Sequence, residues 1–345
     1  MNALPAAALR CQMSVRRLRV HVHPPRHSPW PGSDPVRAVE FFDLDIMPGE
    51  SIVVAGESDS GKSVLARTLA GFERPLSGSI RIGDTEVLSV DGRHGDHQLW
   101  QQRVQLIAQA PLGDASPRAT LASVLETRLK HLQPELGRNE RRARAAAGLP
   151  EVGLAVTDLD RRVRDLTPIE ALRAALARAL LVQPSVLVCD APGATLELAE
   201  RKAVLDLLVH LRRDRHLALV LMAQDARPWR GTVDRVVVMY LGRIMEQGER
   251  EAVFATPAHP YTRALLERSA QIVTSKHGVR SAELHLAGEA PNPAHPPFGC
   301  VFHPRCPIAD AACVREAPPL RRTGPTPQHY AACLFAPMPA KSPRA

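Results

Sequence analysis

Eight consecutive residues constrain this chain more than any others. Gly56, Glu57, Ser58, Asp59, Ser60, Gly61, Lys62 and Ser63 fit the pattern G-x-x-x-x-G-K-[ST]. The apolar run 51–55 precedes them, and a run with helical character, starting at Val64 and ending at Ala70, follows. That order meets a physical requirement. A strand delivers the chain to a tight loop, the N–H groups of the loop cradle phosphate oxygens, Lys62 reaches the β and γ oxygens, and Ser63 offers a hydroxyl to Mg²⁺. A helix that begins at the loop aims its positive end at the same anion. With both flanks present the motif reads as a nucleotide site rather than a Gly-rich surface turn, and ATP with Mg²⁺ is the expected ligand. Asp59 works against it, because a carboxylate beside a polyphosphate costs about 1 kcal/mol or more even when well solvated.

At 345 residues the chain exceeds the length at which single cores stop growing, about 250 to 300 residues, so one large core and a smaller second module are expected. Hydrophobic residues make up 45% and charged residues 23%, the balance of an ordinary globular protein. No apolar run is long enough to span a bilayer, and the N-terminus lacks a secretory pattern, so a cytoplasmic location is expected. The net charge of +8 raises the question of nucleic acid. The arginines are dispersed, however, and with aromatics at 4% a base-stacking surface is not expected. An anionic membrane leaflet accounts for the charge as well.

Residues 1–13 read as a disordered lead. Alternation predicts a first strand over 18–22, a Pro- and His-rich loop over 23–35, and extended chain over 36–47 before a Pro48-Gly49 turn. Further strands are expected at 78–83, 104–108, 185–190, 217–222 and 235–239, and helices at 169–181 and 200–213. Between them, 117–164 is helical, with Leu121, Val124, Leu125, Leu129 and Leu132 at helical spacing. Strands alternating with helices predict an α/β fold with a mostly parallel sheet. Beyond Tyr261 the composition shifts to Pro, His and Cys, which marks a separate C-terminal module.

Two further positions join the nucleotide site. Asp190 ends an apolar strand about 130 residues after the loop, where a carboxylate holds Mg²⁺ directly or through water. Gln109 ends the strand at 104–108 and is a candidate sensor of the metal or the γ-phosphate. Trp30 is a candidate aromatic for the adenine. Four cysteines, Cys300, Cys306, Cys313 and Cys333, form a second constellation. Cytosolic thiols stay reduced, so a soft-metal site is favoured over disulfides, with tetrahedral zinc and a [4Fe–4S] cluster both open. Cys11, Cys189 and His303 read as incidental.

In this order the motifs resemble the nucleotide-binding subunits of ABC transporters, from about Ser14 to Ala336. The resemblance implies a phosphate-loop, RecA-like ATPase core at 14–116 and 165–250, a helical subdomain at 117–164, and an importer-type tail at 251–345. Residues 239–248, 253–257 and 259–266, the last beginning His259, Pro260 and Tyr261, are similar to the tail of the dipeptide and oligopeptide importer branch. In that branch a tail like the segment 299–307 is implied to hold an iron–sulfur cluster on the four thiolates, which ranks [4Fe–4S] over zinc. The implied partners are a second ATPase subunit, preferably a different one, two membrane-spanning permeases and, indirectly, an extracytoplasmic solute-binding protein. No nucleic acid is implied. The implied location is the cytoplasmic face of the membrane, peripherally.

The departures from that family pattern fall on catalytic positions. Where the signature L-S-G-G-Q is expected, the chain has Leu166, Thr167, Pro168, Ile169 and Glu170. Pro168 has no N–H to offer a phosphate, Ile169 brings a β-branch, and Glu170 adds negative charge. Ala191 stands where the catalytic glutamate belongs, and Gln224 replaces the switch histidine. Low or absent hydrolysis is expected.

Overall fold

The computed structural model describes residues 11–23, 34–89, 95–274, 288–324 and 326–337. The strands are β1 (Met13–Val22), β2 (Val36–Ile46), β3 (Ser51–Ala55), β4 (Ser77–Ile82), β5 (Thr85–Leu88), β6 (Val104–Ile107), β7 (Val186–Asp190), β8 (Ala218–Ala223), β9 (Arg235–Tyr240), β10 (Arg243–Glu249), β11 (Arg321–Arg322) and β12 (Tyr330–Ala331). The helices are α1 (Lys62–Leu69), α2 (His97–Arg103), α3 (Leu121–Leu132), α4 (Arg138–Gly148), α5 (Pro168–Leu180), α6 (Leu198–Arg215), α7 (Arg250–Ala255), α8 (Pro260–Thr274) and α9 (Ala311–Arg315). The lead before Cys11 and Trp30 lie outside the described residues.

The main sheet runs β11-β12-β10-β9-β3-β8-β7-β6, and its five strands from β9 to β6 are parallel. Strand β3 shows why. Ile52 and Val54 point into one core, with Leu65 and Leu69 of α1, while Val53 and Ala55 point into the other, with Leu172 and Leu176 of α5. Burial on both faces turns the usual alternation into an unbroken apolar run. A second, antiparallel sheet, β2-β1-β4-β5, packs over the α1 side. Trp100 of α2 is fully buried there and donates its ring N–H to Leu69 O at 2.8 Å, accounting for a carbonyl at the end of α1.

The first strand is longer than its alternation suggests. It starts at Met13, but Arg17 is left-handed (φ 47°) and the register shifts between Val15 and Leu18. This bulge breaks the two-residue period, so Met13 and Val15 face the core out of step with Leu18. The helical stripe from Leu121 to Leu132 does lie on one helix, α3. Its Thr120 cap accepts from Ser123 N–H, and its apolar residues face α4 and α5. Among the described residues no helix is long and apolar enough to cross a membrane.

The C-terminal segment is not the separate module that its composition suggests. Strand β12 pairs with β10 (Glu246 opposite Ala331) and extends the main sheet, while Cys300, Val301, Phe302 and Cys313 enter the main core. Phe302 packs on Tyr240 and Tyr261, with ring centroids 5.4 and 5.3 Å away. The seam is pinned by Glu246, which is fully buried. Its carboxylate accepts the N–H groups of Ala258 (2.9 Å) and His259 (2.8 Å) and lies 2.7 Å from His329 Nε2. Burial pulls His259 down to about 4, against the opposing charge of Glu246, and its neutral Nδ1 accepts Tyr261 N–H.

One carboxylate therefore serves three donors in a buried seam. Glu246→Ala is expected to destabilise the fold by about 3 kcal/mol, because three buried donors lose their acceptor. Glu246→Gln, which keeps one acceptor oxygen, is expected to fall between. Thermal unfolding of the three proteins checks this, and an unchanged midpoint for Glu246→Ala contradicts it.

Candidate functional site

The phosphate-loop segment leaves the centre of the sheet between β3 and α1 and is pinched from two sides. A Cβ on Gly56 would sit 2.2 Å from Met239 O on β9, and one on Gly61 would sit 1.9 Å from Ala38 O on β2. Gly61 is also left-handed (φ 100°), so no side chain is tolerated at either position. Between them Asp59 takes the left-handed conformation (φ 61°), which Asp accepts more readily than most residues, and its carboxylate is exposed to water. Solvation thus keeps the Asp59 penalty at the low end of its range.

Lys62 is buried, and its ammonium donates to Gly56 O (2.7 Å), Glu57 O (2.6 Å) and Ser60 Oγ (2.8 Å). Burial lowers it to about 8, while Asp190, Asp59 and Glu57 pull the other way. Ser63 Oγ donates to Asp190 Oδ1 at 3.1 Å, so the start of α1 and the end of β7 bring a hydroxyl and a carboxylate together. Two such oxygens suit Mg²⁺, which takes few protein ligands and completes its shell with phosphate and water. Val64 is partly buried in the first turn of α1, where its carbonyl accepts Thr68 Oγ1–H.

The other expected positions divide. Gln224 Nε2 donates to Ser58 Oγ at 3.1 Å, so the switch position touches the loop. Gln109 is exposed beyond β6 and, among the described residues, makes no hydrogen bond to Ser63 or Asp190. Ala191 follows Asp190 with only a methyl group; it is left-handed (φ 49°), and its N–H is engaged by Met222 O.

At Leu166 to Glu170 the added negative charge is paired. Glu170 is not a free anion: Arg161 grips its two oxygens at 2.8 and 2.9 Å and holds it at about 2. The same carboxylate accepts Thr167 N–H (2.8 Å), and Thr167 Oγ1 accepts Glu170 N–H (3.4 Å). This reciprocal cap opens α5 with Pro168 in its first position, where no N–H is needed. The T-x-x-E pattern was a legible signal for it.

The four cysteines lie within electrostatic reach of one another. Cys300 N–H donates to Cys313 O (2.8 Å), and Cys300 is within electrostatic reach of Cys306, Cys313 and Cys333. Burial raises Cys300 to about 11, and burial likewise raises Cys306 and Cys333. The expectation of a formed soft-metal site, zinc or [4Fe–4S], is not met, because among the described residues no group of three or more His, Cys, Asp or Glu is arranged to hold a metal ion. His303 turns Nδ1 to Cys300 O (2.9 Å), Cys189 lies in the core, and Cys11 Sγ bonds Met13 O.

Sequence reasoning missed Arg305. It lies beside Cys306, yet its guanidinium reaches Glu57 in the phosphate-loop segment, with Nη1 to Oε2 at 2.7 Å. Tyr261 also touches that segment, its hydroxyl accepting Glu57 N–H at 2.9 Å. Nothing near either residue in the chain announces these contacts, which span about two hundred positions or more. The one available signal was an unbalanced acid in a loop built for anions.

The family model described as ABC transporter matches residues 39–194, and that described as Oligopeptide/dipeptide transporter, C-terminal region, matches residues 245–313. The chain is 32% identical over 325 residues to the oligopeptide transport ATP-binding protein OppF of Escherichia coli, covering 93% of this chain and 95% of that protein. It is 36% identical over 291 residues to the di/tripeptide transport ATP-binding protein DppF of Pseudomonas aeruginosa, covering 84% and 88%. Among solved structures, cbiO1 of Clostridium perfringens, part of the transporter complex cbiONQ, superposes with a TM-score of 0.58 at 21% identity over 77% of this chain and 96% of that one. The dimeric ATP-binding cassette MJ0796 bound to ADP and Pi superposes with a TM-score of 0.59 at 20% identity over 69% and 98%. These superpositions show the α/β ABC ATPase fold.

Lys62 also makes the site sensitive to pH. With the ammonium at about 8 instead of 10.5, the free site loses its positive charge as pH rises through 8, whereas a bound polyphosphate favours the charged form. MgATP affinity is therefore expected to fall between about pH 7.5 and about 9.5, with binding taking up about half a proton near pH 8 and close to one near pH 9. Calorimetry in buffers of different ionisation enthalpy measures the uptake, and Lys62→Ala is expected to abolish it. Affinity that stays flat across this window contradicts the assignment.

Proposed function

The chain belongs to the peptide-importer branch of the ABC transporter ATP-binding proteins, and from that premise we propose how it serves such a complex. It binds MgATP on Lys62, Ser63 and Asp190 at the cytoplasmic face of the membrane, peripherally, and transmits the binding event to two permeases. The observation that carries this reading is the assembled loop, with Lys62 buried at its centre and Ser63 bonded to Asp190. The helical stretch 117–164 is the surface offered to the permeases, and 251–345 is the importer-type tail. The ATPase partner is a second, different subunit, because this chain alone lacks groups that both composite sites of a dimer need. An extracytoplasmic solute-binding protein acts with the complex indirectly, and nucleic acid has no part in it. Copurification in mild detergent tests the assembly: recovery of permeases and a second ATPase subunit is expected, and recovery of none contradicts it.

Hydrolysis by this chain is impaired. Ala191 offers no carboxylate to orient water, and Gln224 holds the switch position with an amide that carries no titratable proton. At the segment presented to a partner's nucleotide, Pro168 and Ile169 replace the close-approach glycines, and the Glu170 carboxylate is committed to Arg161. A regulatory or structural pseudo-ATPase, binding nucleotide, an iron–sulfur cluster or both without driving transport, is the second reading, and the same replacements favour it. Turnover below about 1 s⁻¹ is expected for the chain, alone or with a partner whose loop lysine is disabled. Ala191→Glu alone is expected to recover little. Restoring base, switch and signature together is expected to recover far more than the single changes combined, as for groups that act as a unit. ATPase assays on this series check the scheme, and ordinary turnover by the unmodified chain overturns it.

The four thiols are the ligands we assign to a [4Fe–4S] cluster, with zinc as the alternative. The donor set fits in kind: four cysteines from separate turns of the tail lie within electrostatic reach of one another. When bound, the cluster supplies a covalent staple to a segment with few apolar residues of its own. Anaerobically purified protein is expected to be brown. Cys300→Ser, Cys306→Ser, Cys313→Ser and Cys333→Ser are each expected to bleach it and to loosen the tail to proteolysis. A colourless protein with stoichiometric zinc selects the alternative.

A further inference from the structure

Glu57 is an anion placed inside an anion-binding loop, directly after Gly56. It is one of three carboxylates, with Asp59 and Asp190, whose charge acts on Lys62. One buried ammonium does not balance three acids, and the polyphosphate adds more negative charge. Arg305 supplies a second cation. Its Nη1 donates to Glu57 Oε2 at 2.7 Å and its Nη2 to Oε1 at 3.3 Å, a fork that fixes the carboxylate in one orientation.

This pair differs from the exposed ion pairs that contribute little. Arg305 is only 8% exposed. Its Nη1 also donates to the Tyr240 hydroxyl at 3.2 Å, and its guanidinium lies 5.8 Å from the centre of that ring. Tyr240 ends β9, next to the Met239 carbonyl that presses on Gly56. Arg305 therefore acts from the wall against which the loop is built. From the same side, Tyr261 Oη holds the Glu57 N–H.

We propose that Arg305 is a positioning residue of the nucleotide site: it neutralises and orients Glu57 so that the loop accepts polyphosphate, which makes the cysteine-bearing tail a working part of that site. The inference rests on the reading of the loop as a nucleotide site and deepens it.

The test measures MgATP binding by calorimetry on the full-length chain carrying Arg305→Gln, Arg305→Lys, Glu57→Gln and the double change Glu57→Gln/Arg305→Gln. Arg305→Gln is expected to weaken binding about tenfold or more, the effect of one uncompensated charge near the phosphates, and the loss is expected to shrink as salt rises. Arg305→Lys keeps the charge but not the fork and is expected to fall between. The double change is expected to return affinity to within about threefold of the unmodified chain, because it removes the anion along with its counter-ion.

A residue needed only for packing gives the opposite pattern, in which Glu57→Gln rescues nothing. That result overturns the inference, as does an Arg305→Gln protein that binds normally. Arg305→Lys keeps the question open to measurement if Arg305→Gln fails to fold. Failure of the unmodified chain to bind MgATP removes the nucleotide reading and this inference together, whereas normal binding with no effect at Arg305 removes this inference alone.

Discussion

The structure depends on the pinch between Gly56 and Met239 on one side and Gly61 and Ala38 on the other. Strand β3, buried on both faces, carries the chain to the centre of the sheet and turns it through a gap that no side chain can share. The two glycines are a steric consequence of that position. With the loop so held, Lys62 has little freedom and folds back on the carbonyls of Gly56 and Glu57, and Ser63 emerges facing the end of β7. The order of strands in the sheet thus decides which carboxylate, Asp190, meets the loop hydroxyl.

Two acids, Glu246 fully buried and Glu57 partly so, then tie the distant C-terminal segment to this centre. Glu246 gathers Ala258, His259 and His329 in a buried seam, and Glu57 gathers Tyr261 through its N–H and Arg305 through its carboxylate at the loop. The Glu246 carboxylate serves three donors and the Glu57 carboxylate the two arms of one guanidinium, which is the arrangement in which burial of a charge is tolerated. The tail that composition sets apart is continuous with the sheet, and its cysteines hang from the same segment that delivers Arg305.

In the function proposed above, binding and hydrolysis separate because they draw on different elements. The residues proposed to hold MgATP, Lys62, Ser63 and Asp190, come from α1 and β7, elements that also line the core. The positions that depart from the family pattern, at 191, 224 and 166–170, sit at strand ends and a helix start. At 167 and 170 the replacements have even gained a structural role, as the cap of α5 with Arg161 as its counter-ion.

Local patterns in the sequence determined the loop, its flanking strand and helix, the buried parallel strands and the stripe on α3. Each follows from a period or a motif that depends on neighbours a few residues away. The cap of α5 was of the same kind, legible in the spacing of Thr167 and Glu170. The start of β1 was not, because the bulge at Arg17 breaks the period by which a strand is recognised. Only the tertiary structure decided that Arg305 balances Glu57, that Glu246 closes the seam, and that the tail adds its strands to the main sheet. Those contacts join residues that share no period and, at 248 positions apart for Glu57 and Arg305, no local signal; charge balance and burial select them only once the chain is folded.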